Sequence, residues 1–260
     1  MKSYIYYLGI DIGNTHTVIG LFDRNGLIRS WRISTRKDTT KDELASTVNF
    51  FLKFHGIDFT DIKKAIISSV VPPCFDNWSL FIRNYLDVKP INAHNIALKL
   101  IKISYPRPHE IGTDRLINSL AAYKKYNTSC IIIDFGTATT FDCVSENGEY
   151  LGGAIAPGVL MSITALSTGT SKLPLIKFNF ENVSPIGKST EEAIKSGIFY
   201  GFLGLTDNII KNLMKEFKQK PKIIATGGFS PLIFKKSKYI DTLEPDLTLE
   251  GLFMCLTSSE

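Results

Sequence analysis

An α/β protein made of two similar halves is the fold class this sequence predicts, and two observations predict it. The stretch Ile10-Asp11-Ile12-Gly13-Asn14-Thr15-His16-Thr17 returns 123 residues later as Ile133-Asp134-Phe135-Gly136-Thr137-Ala138-Thr139-Thr140, and self-similarity at half the chain length marks a duplicated unit. Around each copy the same order of elements follows: strand, strand, strand, helix, strand.

In the first half, β-prone runs place strands at Tyr4–Ile12, Thr17–Phe22 and Leu27–Arg32, with Asn25-Gly26 as the turn between the last two. Leu44, Val48, Phe51, Leu52 and His55 recur at helical spacing, and a buried-strand run, Ala65–Val71, is stopped by Pro72-Pro73 before a helix near Asp76–Tyr85. The second half repeats the order with strands at Cys130–Phe135, Thr139–Ser145 and Glu149–Ile155, a turn at Asn147-Gly148, helices, and a late strand Lys222–Thr226. Leu116, Leu120, Ala121 and Tyr123 to Tyr126 predict a connecting helix from near Thr113. The boundary between halves falls around 115 to 128, which divides the chain into domains 1–117 and 118–260.

Composition bounds the function. With 260 residues, 44% of them hydrophobic, the chain can bury one large core or two modest ones. Met1-Lys2-Ser3-Tyr4 leads into a strand without a cleavage-site pattern, and no run of about 18 apolar residues occurs, so a cytoplasmic protein with no membrane partner is expected. The formal charge of +5 is spread over lysines such as Lys215, Lys218, Lys220, Lys235 and Lys236 without forming a stripe, which predicts no nucleic-acid partner. Cys74, Cys130, Cys143 and Cys255 form no CxxC pair and no zinc spacing with His16, His55, His94 or His109; they read as buried free thiols, and His16 as structural.

The repeated motif carries the chemistry. A strand delivers an aspartate, then glycine and hydroxyl residues make a turn: glycine permits close approach, and hydroxyls and turn N–H groups donate to anionic oxygens. A carboxylate aimed at phosphates makes sense only with a cation or its waters in between, as magnesium provides in phosphoryl transfer. Two such hairpins facing one another would grip a nucleotide triphosphate from both walls of a cleft. Ile223-Ile224-Ala225-Thr226-Gly227-Gly228 adds a strand ending in bare backbone against which a base or ribose could lie. Neither GxxxxGK[ST] nor GxGxxG occurs, which argues against the P-loop and dinucleotide folds.

These residues resemble the actin, sugar-kinase and Hsp70 superfamily, and within it type III pantothenate kinase. The likeness runs from Asp11-Ile12-Gly13-Asn14-Thr15 through Gly112-Thr113-Asp114-Arg115, Asp134-Phe135-Gly136-Thr137-Ala138-Thr139-Thr140 and Gly152-Gly153-Ala154-Ile155-Ala156-Pro157-Gly158 to Ala225-Thr226-Gly227-Gly228. The family more often has alanine where this chain has Thr113. The resemblance implies two duplicated RNase H-like (actin-like) α/β domains, each with a mixed sheet, facing across a nucleotide cleft. It also implies transfer of the ATP γ-phosphoryl group to pantothenate, giving 4'-phosphopantothenate, the first step of coenzyme A biosynthesis.

Carried over residue by residue, the resemblance makes Asp114 the catalytic carboxylate and Arg115 a substrate residue beside it, with Gly112 and Thr113 in the same motif. Tyr105, stiffened by Pro106 and Pro108, and Thr190 join them around pantothenate. Asp11 holds magnesium, directly or through its waters, against ATP; Gly13, Asn14 and Thr15 form the phosphate turn; Thr137, Gly227 and Gly228 touch ATP; Asp134 binds a monovalent cation, potassium or ammonium. The family is a homodimer, and the stretch Ile194 to Leu213 (Ile198, Phe202, Leu205, Ile209, Leu213), with more apolar residues than one core face requires, is the candidate interface, ordinary core burial being the rival. Other classes stand beside this reading: a nucleotide-binding transcriptional accessory protein without kinase activity, an actin-like filament former, for which the chain is short, and a kinase for another small alcohol.

Overall fold

The computed structural model describes residues 5–176 and 182–258. Its contacts separate into two compact units, one running through Ala121 and taking in the segment from Asp246 onward, the other Ala122–Pro245.

The first unit contains strands β1 (Tyr6–Ile12), β2 (His16–Asp23) and β3 (Gly26–Ser34), helix α1 (Lys41–Lys53), β4 (Ile62–Ser69), α2 (Pro72–Phe81), β5 (Pro90–Asn92), α3 (Ala93–Leu100), the short β6 (Lys102–Ile103) and the start of α4 (Thr113–Tyr126). The first strand was expected from Tyr4, which lies outside the described residues. The sheet order is β3-β2-β1-β4-β5; β1, β2 and β3 form an antiparallel meander, and β4 and β5 continue parallel to β1. Asn25-Gly26 turns the meander as expected, Gly26 taking φ 130°, a conformation that strains any side chain.

Helix α1 begins at a capping box between Thr40 and Glu43 and buries Leu44, Ala45, Val48 and Leu52, while His55 falls beyond its end. The helix expected at Asp76–Tyr85 starts earlier, at Pro72. Prolines end strands but fit the first helical turn, where no N–H is needed. A π turn over Ile82–Leu86 finishes it, and Asp87 closes it in the left-handed region. β5 and β6 went unread because strands of two or three residues carry no period, and α3, at eight residues, is barely two turns long.

The second unit contains β7 (Cys130–Phe135), β8 (Ala138–Val144), β9 (Glu149–Pro157), α5 (Val159–Thr168), α6 (Thr190–Leu213), β10 (Lys222–Thr226), α7 (Ser230–Phe234) and β11 (Thr242–Leu243). Its strands run in the order β9-β8-β7-β10-β11, with β7, β8 and β9 antiparallel and β10 and β11 parallel to β7. The topology of the first unit is thus repeated strand for strand. The turns differ, however. Ile12 pairs with Thr17 but Phe135 with Thr139, so the second turn is one residue shorter, and the counterpart of Thr17 in the second unit is Thr139 rather than the Thr140 that aligns with it in sequence.

The last helix, α8 (Leu247–Thr257), belongs to the first unit, whereas the expected division assigned 118–260 to the second half. Gly9 and Gly20 pair across β1 and β2, and a Cβ on Gly20 would stand 3.1 Å from Leu249; the bare backbone leaves room for the helix. Phe253 stacks on Phe22 at 5.3 Å, and Thr248 Oγ1 donates to Asn118 Oδ1 at 2.8 Å. All four cysteines are free and buried. Among the described residues, no helix is long and apolar enough to cross a membrane.

Candidate active site

In the first unit the polar residues gather where parallel strands end, the usual place for ligands in such sheets. Asp11 is the penultimate residue of β1, Ser68 stands level with it on β4, Val18 on β2, and Arg32 beyond Val18 on β3. Burial, and then the Asp114 carboxylate, push Asp11 up to about 7 from its ordinary 3.8, while the Ser68 hydroxyl and the Arg32 guanidinium pull the other way.

Asp114 comes to this place through α4. It is the second residue of the helix, its Oδ1 accepting from the Arg115 N–H at 2.9 Å, and the helix dipole favours a carboxylate here. A Cβ on Gly112 would lie 2.5 Å from that same oxygen, so the glycine is what lets the carboxylate fold back over the helix start. Burial raises Asp114 too, opposed by the Arg115 N–H and the Arg115 charge. Thr113 is buried, and its Oγ1 lies 3.3 Å from Nδ1 of His94 on α3. Burial holds His94 below its usual value. Two carboxyl groups distant in sequence thus lie near enough for the Asp114 charge to bear on Asp11, and burial makes each resist ionisation. Tyr105 is exposed in the loop before α4.

The turn Gly13-Asn14-Thr15 is held by a residue that sequence reading missed. Gly13 N donates to His16 O at 3.0 Å, and Thr35 N to Thr15 O at 3.0 Å. Thr35 Oγ1 donates to Gly13 O at 2.8 Å and sits 2.9 Å from Thr17 Oγ1. The backbone is fixed from below, and Asn14 and Thr15 stay exposed.

The second unit braces its turn by a different device. Gly158 occupies the place of Thr35, and a Cβ there would stand 1.9 Å from Thr137 O, so backbone packs directly on backbone. Gly158 is also the N-cap of α5, and Thr137 is exposed. Asp134 on β7 pairs with Thr226 on β10. The next residue, Gly227, has φ 88°, and its Cβ would lie 2.3 Å from Asp134 Oδ1 and 2.7 Å from the Phe135 backbone. Gly228 is exposed beside it.

Thr190 is placed apart from these second-unit candidates. As the first residue of α6 it lines an apolar groove of ≈ 810 Å³ between α5 and α6 with residues such as Met161, Leu166 and Ile194, and without Asp134, Thr137, Gly227 or Gly228. Ile198 and Phe202 of α6 are buried, while Leu205, Ile209 and Leu213 are partly buried against the same core. Leu160 and Met161 are exposed at 41% and 47%.

Sequence reading therefore missed Thr35, Ser68, Arg32 and His94, and gave Gly158 a place in a motif but no role. Only Ser68 carried a local signal, a polar residue ending the apolar run Ala65-Ile66-Ile67.

The sequence model of the family described as type III pantothenate kinase matches residues 7–212. The chain belongs to the type III pantothenate kinase family. A relative of that name from Desulforapulum autotrophicum is 47% identical over 246 residues, covering 94% of each chain. Another, from Desulfosudis oleivorans, is 44% identical and covers 97% of this chain and 99% of its own. Among solved structures, (R)-2-hydroxyglutaryl-CoA dehydratase component A from Acidaminococcus fermentans superposes with a TM-score of 0.53 at 12% identity, covering 98% of this chain and 97% of that one. At that identity the likeness concerns the fold alone, which is the duplicated actin-like one.

Proposed function

We propose that this member of the family transfers the γ-phosphoryl group of ATP to the primary hydroxyl of pantothenate, with Asp114 as the proton acceptor. The observation that supports the reading is that Asp114, at the start of α4, stands within electrostatic reach of Asp11 at the end of β1, with both carboxyls raised by burial and Asp11 raised further by the Asp114 charge. A carboxylate lifted from its ordinary value is a better base at working pH. Asp114 is held by the start of α4, where it would orient the acceptor hydroxyl and take its proton as the bond to phosphorus forms; in a loose transition state this positioning matters more than base strength.

Among the described residues no three His, Cys, Asp or Glu side chains make a metal cluster. That suits magnesium, which is commonly held by one or two carboxylates with phosphates and waters completing its shell. Asp11 would hold it through water, and the buried Ser68 hydroxyl beside it, which favours the ionised Asp11 carboxylate, fits such a site. The ion would neutralise charge on the triphosphate. Gly13, Asn14, Thr15 and Thr137 would receive phosphate oxygens, and Gly227 and Gly228 the nucleoside side of ATP. Asp134, against which Gly227 leaves bare backbone, would take potassium or ammonium. Tyr105, Gly112, Thr113, Arg115 and Thr190 would surround pantothenate.

A homodimer belongs to this reading; the core burial of Ile198 and Phe202 favours the rival explanation for the Ile194 to Leu213 stretch, so the support comes from the exposed Leu160 and Met161 beside the start of α6, and the cytoplasm is the compartment where such a kinase would work. The duplicated halves are proposed as 1–117 and 118–260 in sequence, with α8 at the end of the second packing on the first unit. The alternative, an accessory protein of transcription without kinase activity, is not favoured by relatives that carry the kinase name.

The test couples ATP consumption to a panel of small alcohols that includes pantothenate and pantetheine, with wild type and Asp114→Asn. The variant should keep its melting temperature and bind ATP, yet lose about 10²- to 10⁴-fold in turnover, the usual contribution of general base catalysis. Near-normal turnover would remove Asp114 from the mechanism, and a wild type inert toward every alcohol would overturn the kinase reading.

A further inference from the structure

Ser68 is a hydroxyl whose one neighbour of consequence is a carboxylate. It stands level with Asp11 across the parallel pair β1 and β4, is fully buried, and acts on the Asp11 carboxyl, which it lowers, while its Oγ bonds to nothing else in the fold. A buried hydroxyl needs such a partner, since burying one alone opposes folding. Its neighbour Ser69 shows what a structural serine does at this strand end: its Oγ accepts from Val71 N and donates to Val71 O, both at 3.0 Å, and so shapes the turn into α2. Ser68 makes no comparable bond. Buried hydroxyls without partners among the described residues are Ser79, Ser119, Thr139 and Thr206, and none of these pairs with a candidate cation carboxylate.

An ionised carboxylate only accepts hydrogen bonds and has two oxygens to offer, whereas a serine hydroxyl carries one proton. The match is one donor for one of two acceptors. We infer that Ser68 is a positioning residue for Asp11: its hydroxyl donates to one carboxylate oxygen and leaves the other turned toward a hydrated divalent cation that accompanies the nucleotide. The inference rests on the reading of Asp11 as the cation-holding carboxylate. Such outer-layer partners commonly change metal affinity by about 10- to 100-fold when removed.

The experiment uses Mn²⁺ as the probe, with a non-hydrolysable ATP analogue, and reads bound Mn²⁺ from water-proton relaxation in the full chain. Wild type, Asp11→Asn, Ser68→Ala and Ser68→Thr are compared, each with a metal-free melt. Ser68→Ala is expected to bind Mn²⁺ about 10-fold more weakly in the nucleotide complex. Its metal-free melting temperature should change little, because the hydroxyl bonds to no group of the fold other than Asp11. Ser68→Thr, which restores the donor, should recover most of the affinity. If Asp11→Asn binds Mn²⁺ as well as wild type, the Asp11 reading fails and takes the inference with it. If Asp11→Asn is weakened while Ser68→Ala binds like wild type, the inference alone is overturned. A lowered melt for Ser68→Ala with unchanged Mn²⁺ affinity assigns Ser68 a structural role and overturns it equally.

Discussion

Replacing Asp11 by asparagine should stabilise the metal-free protein at pH 8, even though it removes a residue of the proposed site. The Asp11 carboxyl is raised from 3.8 to about 7, and each unit is worth about 1.4 kcal/mol between the protonation states. A shift of roughly 3 units therefore sets an upper bound near 4 kcal/mol, and sharing of charge with Asp114 brings the expectation to about 2–4 kcal/mol. The sign follows from proton binding: between about pH 4 and 7 the folded chain keeps a proton that the unfolded chain has released. Stability from this group is present below that window and is lost as pH rises through it. Asparagine has no proton to lose. The difference between variant and wild type should thus be small near pH 4, grow to about pH 7 and then level off. For a chain of this size each kcal/mol moves the melting temperature by about 2–4 °C. Trp31 and Trp78 are the two tryptophans of the chain and both lie in the first unit, so their fluorescence reports the unit that holds Asp11. Melts at constant ionic strength, without divalent cations, from pH 5 to 8 make the measurement. Parallel curves for the two proteins, or a variant less stable at pH 8, would refute the claim that burial and Asp114 load this carboxylate.

Two further outcomes follow from the second unit. Gly227→Ala places a Cβ at φ 88° within 2.3 Å of Asp134 Oδ1 and 2.7 Å of the Phe135 backbone. With left-handed strain and overpacking together it should cost about 2–4 kcal/mol, read by amide exchange in β7 and β10; wild-type protection there would contradict the close approach. For Asp134, activity at saturating magnesium should rise when potassium replaces sodium at equal ionic strength, and Asp134→Asn should blunt the rise. Equal rates of wild type in the two salts would remove the monovalent cation from Asp134.

What was legible in the sequence was whatever neighbours along the chain decide. The repeated strand-aspartate-glycine pattern announced the duplication because strand periodicity and turn chemistry act over a few residues. Cys130–Phe135 and Lys222–Thr226 appear with their expected ends since both are apolar runs bounded by polar or glycine residues. The motif around Gly112-Thr113-Asp114-Arg115 marked a helix start for the same reason. Short elements escaped, as β5 and β11 have too few residues to show a period, and the apolar run Leu252–Leu256 of α8 shows no face.

Only the tertiary structure could decide the rest. Register across β7 and β8 set Thr139, not Thr140, as the counterpart of Thr17, because hydrogen-bond pairing and not sequence alignment fixes which residues stand opposite. The close-packed glycines Gly9 and Gly20 give α8 its seat in the first unit. The Asp114 charge bears on Asp11 only because β1 and the start of α4 come together in the first unit, and burial there, which no stretch of sequence encodes by itself, makes two ordinary aspartates resist ionisation. Sequence sets which groups are available and their local conformation; their distances and their loss of water come from packing between segments far apart in the chain.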